Sequence, residues 1–499
     1  DFTVTSSSIM SRHAASKRNW AHEMNSYGFT IVCSGAGQTQ SHCVPTNESN
    51  PIDAREPMSK TTWLRNPAAV FTGTGSDANG GILINNGIIV ETVSSGHTPA
   101  HEWDESVDLS NAVVLPGLIN THHHFYQTLT RCVPQALNKP LFPWLKTLYQ
   151  IWQFLDAEML AAATELAGLE LMLSGATTIA DHHYVFPKGL ENAIDVQVEA
   201  IGKLGCRAVL TRGSMSLGED SGGLPPNAVI QAEDVILADS ERVIDEFHED
   251  QSGAKIQIAL APCSPFSVTR ALMTATAELA ERKNVLLHTH LAETEDENAF
   301  CQRQFGLRPL EYLEQCGWLT NRTWLAHGIH FDSDEISTLG AADIGIAHCP
   351  TSNMLLGSGI CPSMDLIDAG CRFGLAVDGS ASNDGSNMIQ EVRHSLLQQR
   401  LRYAPQQITA ETVLGWACKG SASLLRRDDI GEISAGKQAD LAIFNLDELR
   451  FSGAGDPIAA LVTCGAHAVD RLMVGGEWLI ESAEHRDFIA RDIIQKHSQ

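Results

Sequence analysis

Short apolar runs alternate with longer amphipathic stretches from about residue 116 to residue 425. Eight of the short runs are rich in β-branched residues and end at Asn120, His182, Arg212, Pro262, His290, His327, His348 and Asp378. Helical stretches lie between them, such as 156–174, rich in Ala, Leu, Glu and Met, and 270–282. Strands that alternate with helices in this way build parallel βα units. Eight such units predict an α/β fold, a (β/α)8 TIM-type barrel over 116–425, with its chemistry at the C-terminal ends of the strands.

The two ends of the chain have a different pattern. Residues 61–64 read as a strand, and 80–90 as a hairpin turning at Asn85-Asn86-Gly87. Strands are expected again at 431–433 and 439–444, with another hairpin at 471–480. Two β-rich ends around an α/β middle predict one small β-sandwich assembled from 58–115 and 426–499. Residues 1–57 are rich in Ser, Asn, Thr and Gln and show no sustained period. They are read as a disordered or non-native extension, with Met58 as the natural start.

Composition narrows the classes of function. The chain has 34 Lys and Arg against 60 Asp and Glu, a net charge of −26. A nucleic-acid surface needs clustered cations to neutralise phosphates, so none is expected. No run of about 18 apolar residues is present to span a bilayer, and the first thirty residues lack the apolar core of a signal peptide. The 12 Cys form no CxxC pair, and Cys349, Cys361 and Cys371 lie near apolar strands as buried thiols. A reducing cytoplasm is the expected setting.

Candidate chemistry gathers at the strand ends. His122 and His124 are two residues apart on a fully apolar strand, so they share a face while His123 points away. His288, His290 and Glu293 offer two more imidazoles and an acid, and spacing leaves either histidine open as a ligand. Asp378 closes a buried apolar run, where a carboxylate is costly unless paired or metal-bound. Three imidazoles and a carboxylate can hold Zn²⁺, and Fe²⁺ or Mn²⁺ also suit such a set.

Four stretches together carry a family resemblance: 116–124 (PGLINTHHH), 290–293 (HLAE), 348–353 (HCPTSN) and 378–383 (DGSASN). They resemble the amidohydrolase superfamily, in its branch of purine, pterin and s-triazine aminohydrolases, over about 60–490. Stretches 63–67, 124–131, 141–145 and 212–217 are most similar to members that deaminate 8-oxoguanine. The resemblance implies a hydrolytic deaminase converting 8-oxoguanine to urate and ammonia. Isoxanthopterin, guanine, cytosine and hydroxylated s-triazines are the alternative rings, and a metal-free scaffold protein of the same fold is a remote one.

The family pattern implies one divalent metal, zinc first, held by His122, His124, His290 and Asp378. It selects His290 over His288 because the acid stands three residues after the ligand. The run 257–262 ends without the Lys that bridges two metals in binuclear relatives. Glu293 is then the acid that protonates the ring, His327 the hydrogen-bond donor to the attacking oxygen, and Asp378 the base. His348 is read as structural or pocket-lining. Gln127 and Arg212 are substrate-binding candidates, an amide for a lactam edge and a cation for a ring carbonyl. Tyr184 and Cys263, just past strand ends, are further pocket candidates. Trp144, Tyr149 and Trp152 are read as core. A homo-oligomer is expected by likeness to relatives.

Overall fold

The computed structural model describes residues 60–498, so the readings of residues 1–57 and of Met58 lie outside it. Eight parallel strands are hydrogen-bonded in sequence order: Leu118–Asn120, Ala176–His183, Arg207–Ser214, Ile256–Pro262, Leu287–Leu291, Thr323–His327, Gly345–His348 and Arg372–Leu375. Each falls on a predicted run. The eighth stops short of its predicted end, and Asp378 lies beyond it in left-handed backbone at φ 64°. Nearly every residue of these strands is buried, because helices cover the outside and side chains fill the inside.

The barrel closes where its first and last strands meet. The Thr121 N–H donates to Leu375 O at 3.2 Å, and the Asp378 N–H to His122 O at 3.1 Å. Side chains reinforce this seam. Thr121 Oγ1 donates to Leu375 O at 2.8 Å, and Asn120 Oδ1 accepts from the Val377 N–H at 3.0 Å. The polar pair Asn120-Thr121 at the end of an apolar strand thus adds side-chain bonds to the backbone groups of the seam.

The helices obey local signals. Helix Ala157–Leu173 starts where Asp156 accepts from the Met159 N–H, and Arg270–Lys283 starts where Thr269 accepts from the Leu272 N–H. Asn284, left-handed at φ 54°, ends the latter. An additional helix, Leu141–Trp152, lies between the first two barrel strands. No helix among the described residues is long and apolar enough to cross a membrane.

Two sheets form the β-domain. One runs in the order Ile88–Val93, Gly81–Asn85, Thr61–Arg65, Glu105–Asp108. The other joins both ends of the chain: Glu484–His485, Glu477–Glu481, Arg471–Val474, Leu441–Asn445, Ala112–Pro116, Ala69–Val70. Leu64, Ile82 and Ile89 of the first sheet share one core with Val114, Leu441 and Ile443 of the second. The strand expected at 431–433 does not form. Gly431 is left-handed at φ 84°, and the segment turns, leaving only the Ile433 N–H bonded to Thr72 O at 2.9 Å. Arg207 of the third barrel strand forms a buried two-pronged pair with Asp440 of the β-domain, at 2.7 and 3.0 Å.

Candidate metal centre

His122 and His124 follow the first barrel strand, His290 lies in the fifth, His327 ends the sixth, and Asp378 lies beyond the eighth. The structure brings all five together at the C-terminal mouth. Asp378 Oδ1 lies 3.3 Å from His122 Nε2 and 3.4 Å from His124 Nε2. His124 Nε2 and His290 Nε2 face each other at 3.1 Å.

Main-chain carbonyls fix the tautomers of two of these rings, because a carbonyl can only accept. His124 Nδ1–H donates to His182 O at 2.7 Å, and His290 Nδ1–H to Cys263 O at 2.7 Å. Burial drives both rings neutral; it pulls His290 down to about 3, with help from the neighbouring His124. Their Nε2 atoms are therefore bare lone pairs pointing at each other. His122 Nε2 is buried and has no hydrogen-bond partner at all. Burial opposes ionisation of Asp378; charged rings at His122, then His327 and His124, would hold its carboxyl well below the ordinary range, and with those rings neutral that stabilisation has to come from a bound cation. Three lone pairs and one anion converging in a buried space repel one another unless a cation lies among them. The donor set fits a divalent metal bound by nitrogen and oxygen, and spatial grouping of ligand atoms also places His182 beside His122, His124 and His290.

Two further titratable groups adjoin this cluster. Glu293 Oε2 is 3.4 Å from His327 Nε2. Burial, then the charges of Asp378 and Glu297, raises Glu293 well above the usual carboxylate range, which favours its protonated form. Burial brings His327 down to about 4. Asn353 Nδ2 donates to His327 Nδ1 at 3.0 Å, which leaves the His327 proton on Nε2, facing Glu293. Ala292, His327 and Asp378 all have left-handed backbone, at φ 54°, 74° and 64°. Strained conformations at three corners of one site are the mark of side chains aimed at a task.

A narrow cavity opens over the cluster. His124, His290, Glu293, His327 and Asp378 form its polar end, and Gln127, Tyr184 and Cys263 also line it. Gln127 Oε1 accepts from the Ala381 N–H at 3.3 Å. Arg212 does not line the cavity. Its Nε donates to Asp239 at 2.7 Å, its Nη2 to Gln231 at 2.9 Å, and its guanidinium lies 3.8 Å from the centre of the Phe186 ring. These contacts commit the side chain to the barrel wall, and the substrate role expected of it is corrected accordingly.

Sequence reasoning missed several members of the site. Trp144, Tyr149 and Trp152 are buried on one helix. Trp144, however, also lines the cavity, and its indole N–H donates to Ala381 O at 3.2 Å. Ser352 Oγ donates to Asp378 Oδ2 at 2.6 Å. Ser352 and Asn353 belong to the quoted HCPTSN stretch, which signalled them without giving a role. His348 is fully buried, faces Gln399 Nε2 at 3.3 Å and is absent from the cavity lining. His288 lies beneath the cluster, not in the cavity.

The amidohydrolase family model matches residues 113–479, which span every element of the site. The chain belongs to the amidohydrolase family. This amidohydrolase is 58% identical over 436 residues to the 8-oxoguanine deaminase of Pseudomonas aeruginosa, covering 87% of this chain and 97% of that protein. It is 32% identical to an isoxanthopterin deaminase from an unknown prokaryotic organism, with 81% of this chain and 89% of that one covered. Among solved structures, it superposes on the atrazine chlorohydrolase of Arthrobacter aurescens TC1 complexed with zinc with a TM-score of 0.80, at 29% identity over 88% of this chain and 99% of the other.

Proposed function

We propose that this amidohydrolase hydrolyses 8-oxoguanine to urate and ammonia. The observation that carries the reading is the 58% identity to an 8-oxoguanine deaminase across 97% of that protein's length, joined to a cavity whose lining of polar groups and aromatic rings suits a flat, polar ring. In this reading His122, His124, His290 and Asp378 hold one zinc ion. Bound there, the ion supplies Lewis acidity that brings the pKa of a water toward ~7.

The chain's own groups divide the proton work. Asp378, held anionic and oriented by Ser352, accepts a proton from the attacking water. His327 Nε2–H donates a hydrogen bond to the attacking oxygen as negative charge builds on it. Glu293, whose raised pKa favours the protonated form, gives its proton to the ring nitrogen beside the carbon that bears the amine, so that the ring never carries a full negative charge. Asp378 then returns the proton taken from water to the amine, the C–N bond breaks with release of ammonia, and the remaining O–H proton passes to Glu293 as the carbon becomes a carbonyl, which restores both groups. Gln127 offers its NH₂ to an acceptor on the ring edge. Tyr184 and Cys263 contact the polar rim, and Trp144 and Phe266 supply flat apolar surface.

The test is ammonia release by the zinc-loaded protein given 8-oxoguanine, guanine, isoxanthopterin, cytosine and hydroxylated triazines in separate reactions. Fast release from 8-oxoguanine is the expected result. Release from a pterin or triazine with none from 8-oxoguanine overturns the substrate. No release from any ring, with zinc bound, overturns the reaction.

A further inference from the structure

His288 and His290 sit on the same face of the fifth barrel strand, yet only His290 borders the cavity. A strand rises about 3.3 Å per residue, so His288 lies roughly 6–7 Å deeper in the barrel. It is 1% exposed. Its Nδ1 is 2.9 Å from Trp324 O, and because a carbonyl can only accept, the His288 proton is on Nδ1. Its Nε2 is 2.7 Å from His122 Nδ1. In a neutral His288 that Nε2 is an acceptor, so His122 carries its proton on Nδ1 and donates it downward. The only arrangement consistent with both contacts leaves a bare lone pair on His122 Nε2, the buried atom that has no other partner.

Two further contacts hold this relay still. The His288 ring stacks on Trp324 at 4.2 Å between centroids and 15° between planes, so it cannot turn about its own axis. The Trp324 indole N–H donates to Thr121 O at 3.1 Å, the carbonyl just before His122. One tryptophan thus sets both the plane of His288 and the backbone that carries His122. His124 and His290 reach the same tautomer through carbonyls directly, whereas His122 reaches it through another imidazole. No carboxylate takes that place, so the support adds no negative charge beneath the cluster.

We infer that His288 is a positioning residue for the metal centre: it fixes the tautomer and aim of His122 by accepting its Nδ1–H, and thereby sets metal affinity without touching the metal. The inference rests on His122 being a ligand, as proposed above. Loss of a partner of this kind typically costs ~10–100-fold in metal affinity. A side chain that fills the space without accepting, as in His288→Phe, leaves the His122 N–H buried and unpartnered. His288→Gln keeps an acceptor oxygen within similar reach.

The experiment is zinc affinity by competition with a chromophoric chelator, measured on the metal-free full chain and on both variants, with thermal melting of each metal-free protein as the fold control. The expected result is a ~10–100-fold weaker zinc affinity for His288→Phe, and an affinity close to the parent for His288→Gln. Equal affinity of His288→Phe and the parent overturns the inference, as does an equal loss in both variants when their metal-free melting is unchanged. If His288→Phe does not fold, ¹⁵N-histidine NMR of the zinc-loaded parent decides: His288 protonated on Nδ1 alone supports it, and a proton on its Nε2 overturns it. A parent that binds no zinc overturns the metal centre itself, a separate and earlier failure.

Discussion

Replacing Gly379 with Ala should damage substrate binding without disturbing the metal. Gly379 directly follows Asp378, and a Cβ built on it would sit 1.9 Å from Gln127 Oε1. Real contacts of this kind do not fall below 3.0 Å, so the amide must retreat by about 1 Å. That retreat breaks its bond to the Ala381 N–H, at 3.3 Å already a long one, and releases the amide from its orientation. A misplacement of ~1 Å in a positioning group can cost on the order of 10²-fold in rate. An unpartnered buried N–H adds about 1–3 kcal/mol to the same account. The expected outcome is a kcat/KM for 8-oxoguanine lowered ~10–100-fold, with zinc stoichiometry unchanged. The clean assay is a double-mutant cycle with Gln127→Ala. With the amide gone, Gly379→Ala has nothing to push and should add almost no further loss. Full additivity of the two losses, or a Gly379→Ala enzyme with parental kcat/KM, refutes the reasoning.

Glu293→Gln retains the shape but cannot give up a proton, and should lower kcat ~10²–10⁴-fold; a variant near parental kcat removes Glu293 from the acid role. Because the pKa of Glu293 is raised, its active protonated form is present at low pH and lost as pH rises through that raised value. The alkaline fall in kcat/KM should therefore weaken in this variant, and an unchanged pH profile would assign the fall to another group. Arg212→Gln should lower the melting temperature, by roughly 1–3 kcal/mol of stability, while KM holds, since Arg212 is committed to Asp239; a large rise in KM with parental melting would return it to the pocket. Asp440→Asn strips the charge from the buried partner of Arg207 and should cost about 3–5 kcal/mol in denaturant unfolding, with kcat per folded, zinc-loaded molecule unchanged.

The barrel was legible because buried parallel strands read as apolar runs between helices, and that signal does not depend on what any strand touches. The cluster of His122, His124, His290, His327 and Asp378 was approachable for the same reason, since strand ends of one barrel must meet. What alternation could not supply was depth. His288 and His290 are equivalent by period, and only their height in the barrel separates them. Trp144 was ambiguous because a helix core and a pocket wall both want an aromatic ring, and here one ring serves both. Arg212 ends a strand as a substrate-binding cation would, but its fate is decided by Asp239, which lies on the helix Glu233–Phe247. The strand expected at 431–433 failed because its apolar side chain found a buried place from a turn, without a ladder.

The seam between the first and last barrel strands has a consequence for how the molecule is made. His122 and Asp378 are brought together by the closure bonds of Asn120, Thr121 and Val377, so the ribosome must finish about three-quarters of this sequence before both exist. A shorter nascent chain holds histidines but lacks the acid, and its ring has no edge to shut against. The set of groups that would hold a metal is thereby complete only late in synthesis, and a chain terminated before Asp378 lacks the one acid of that set.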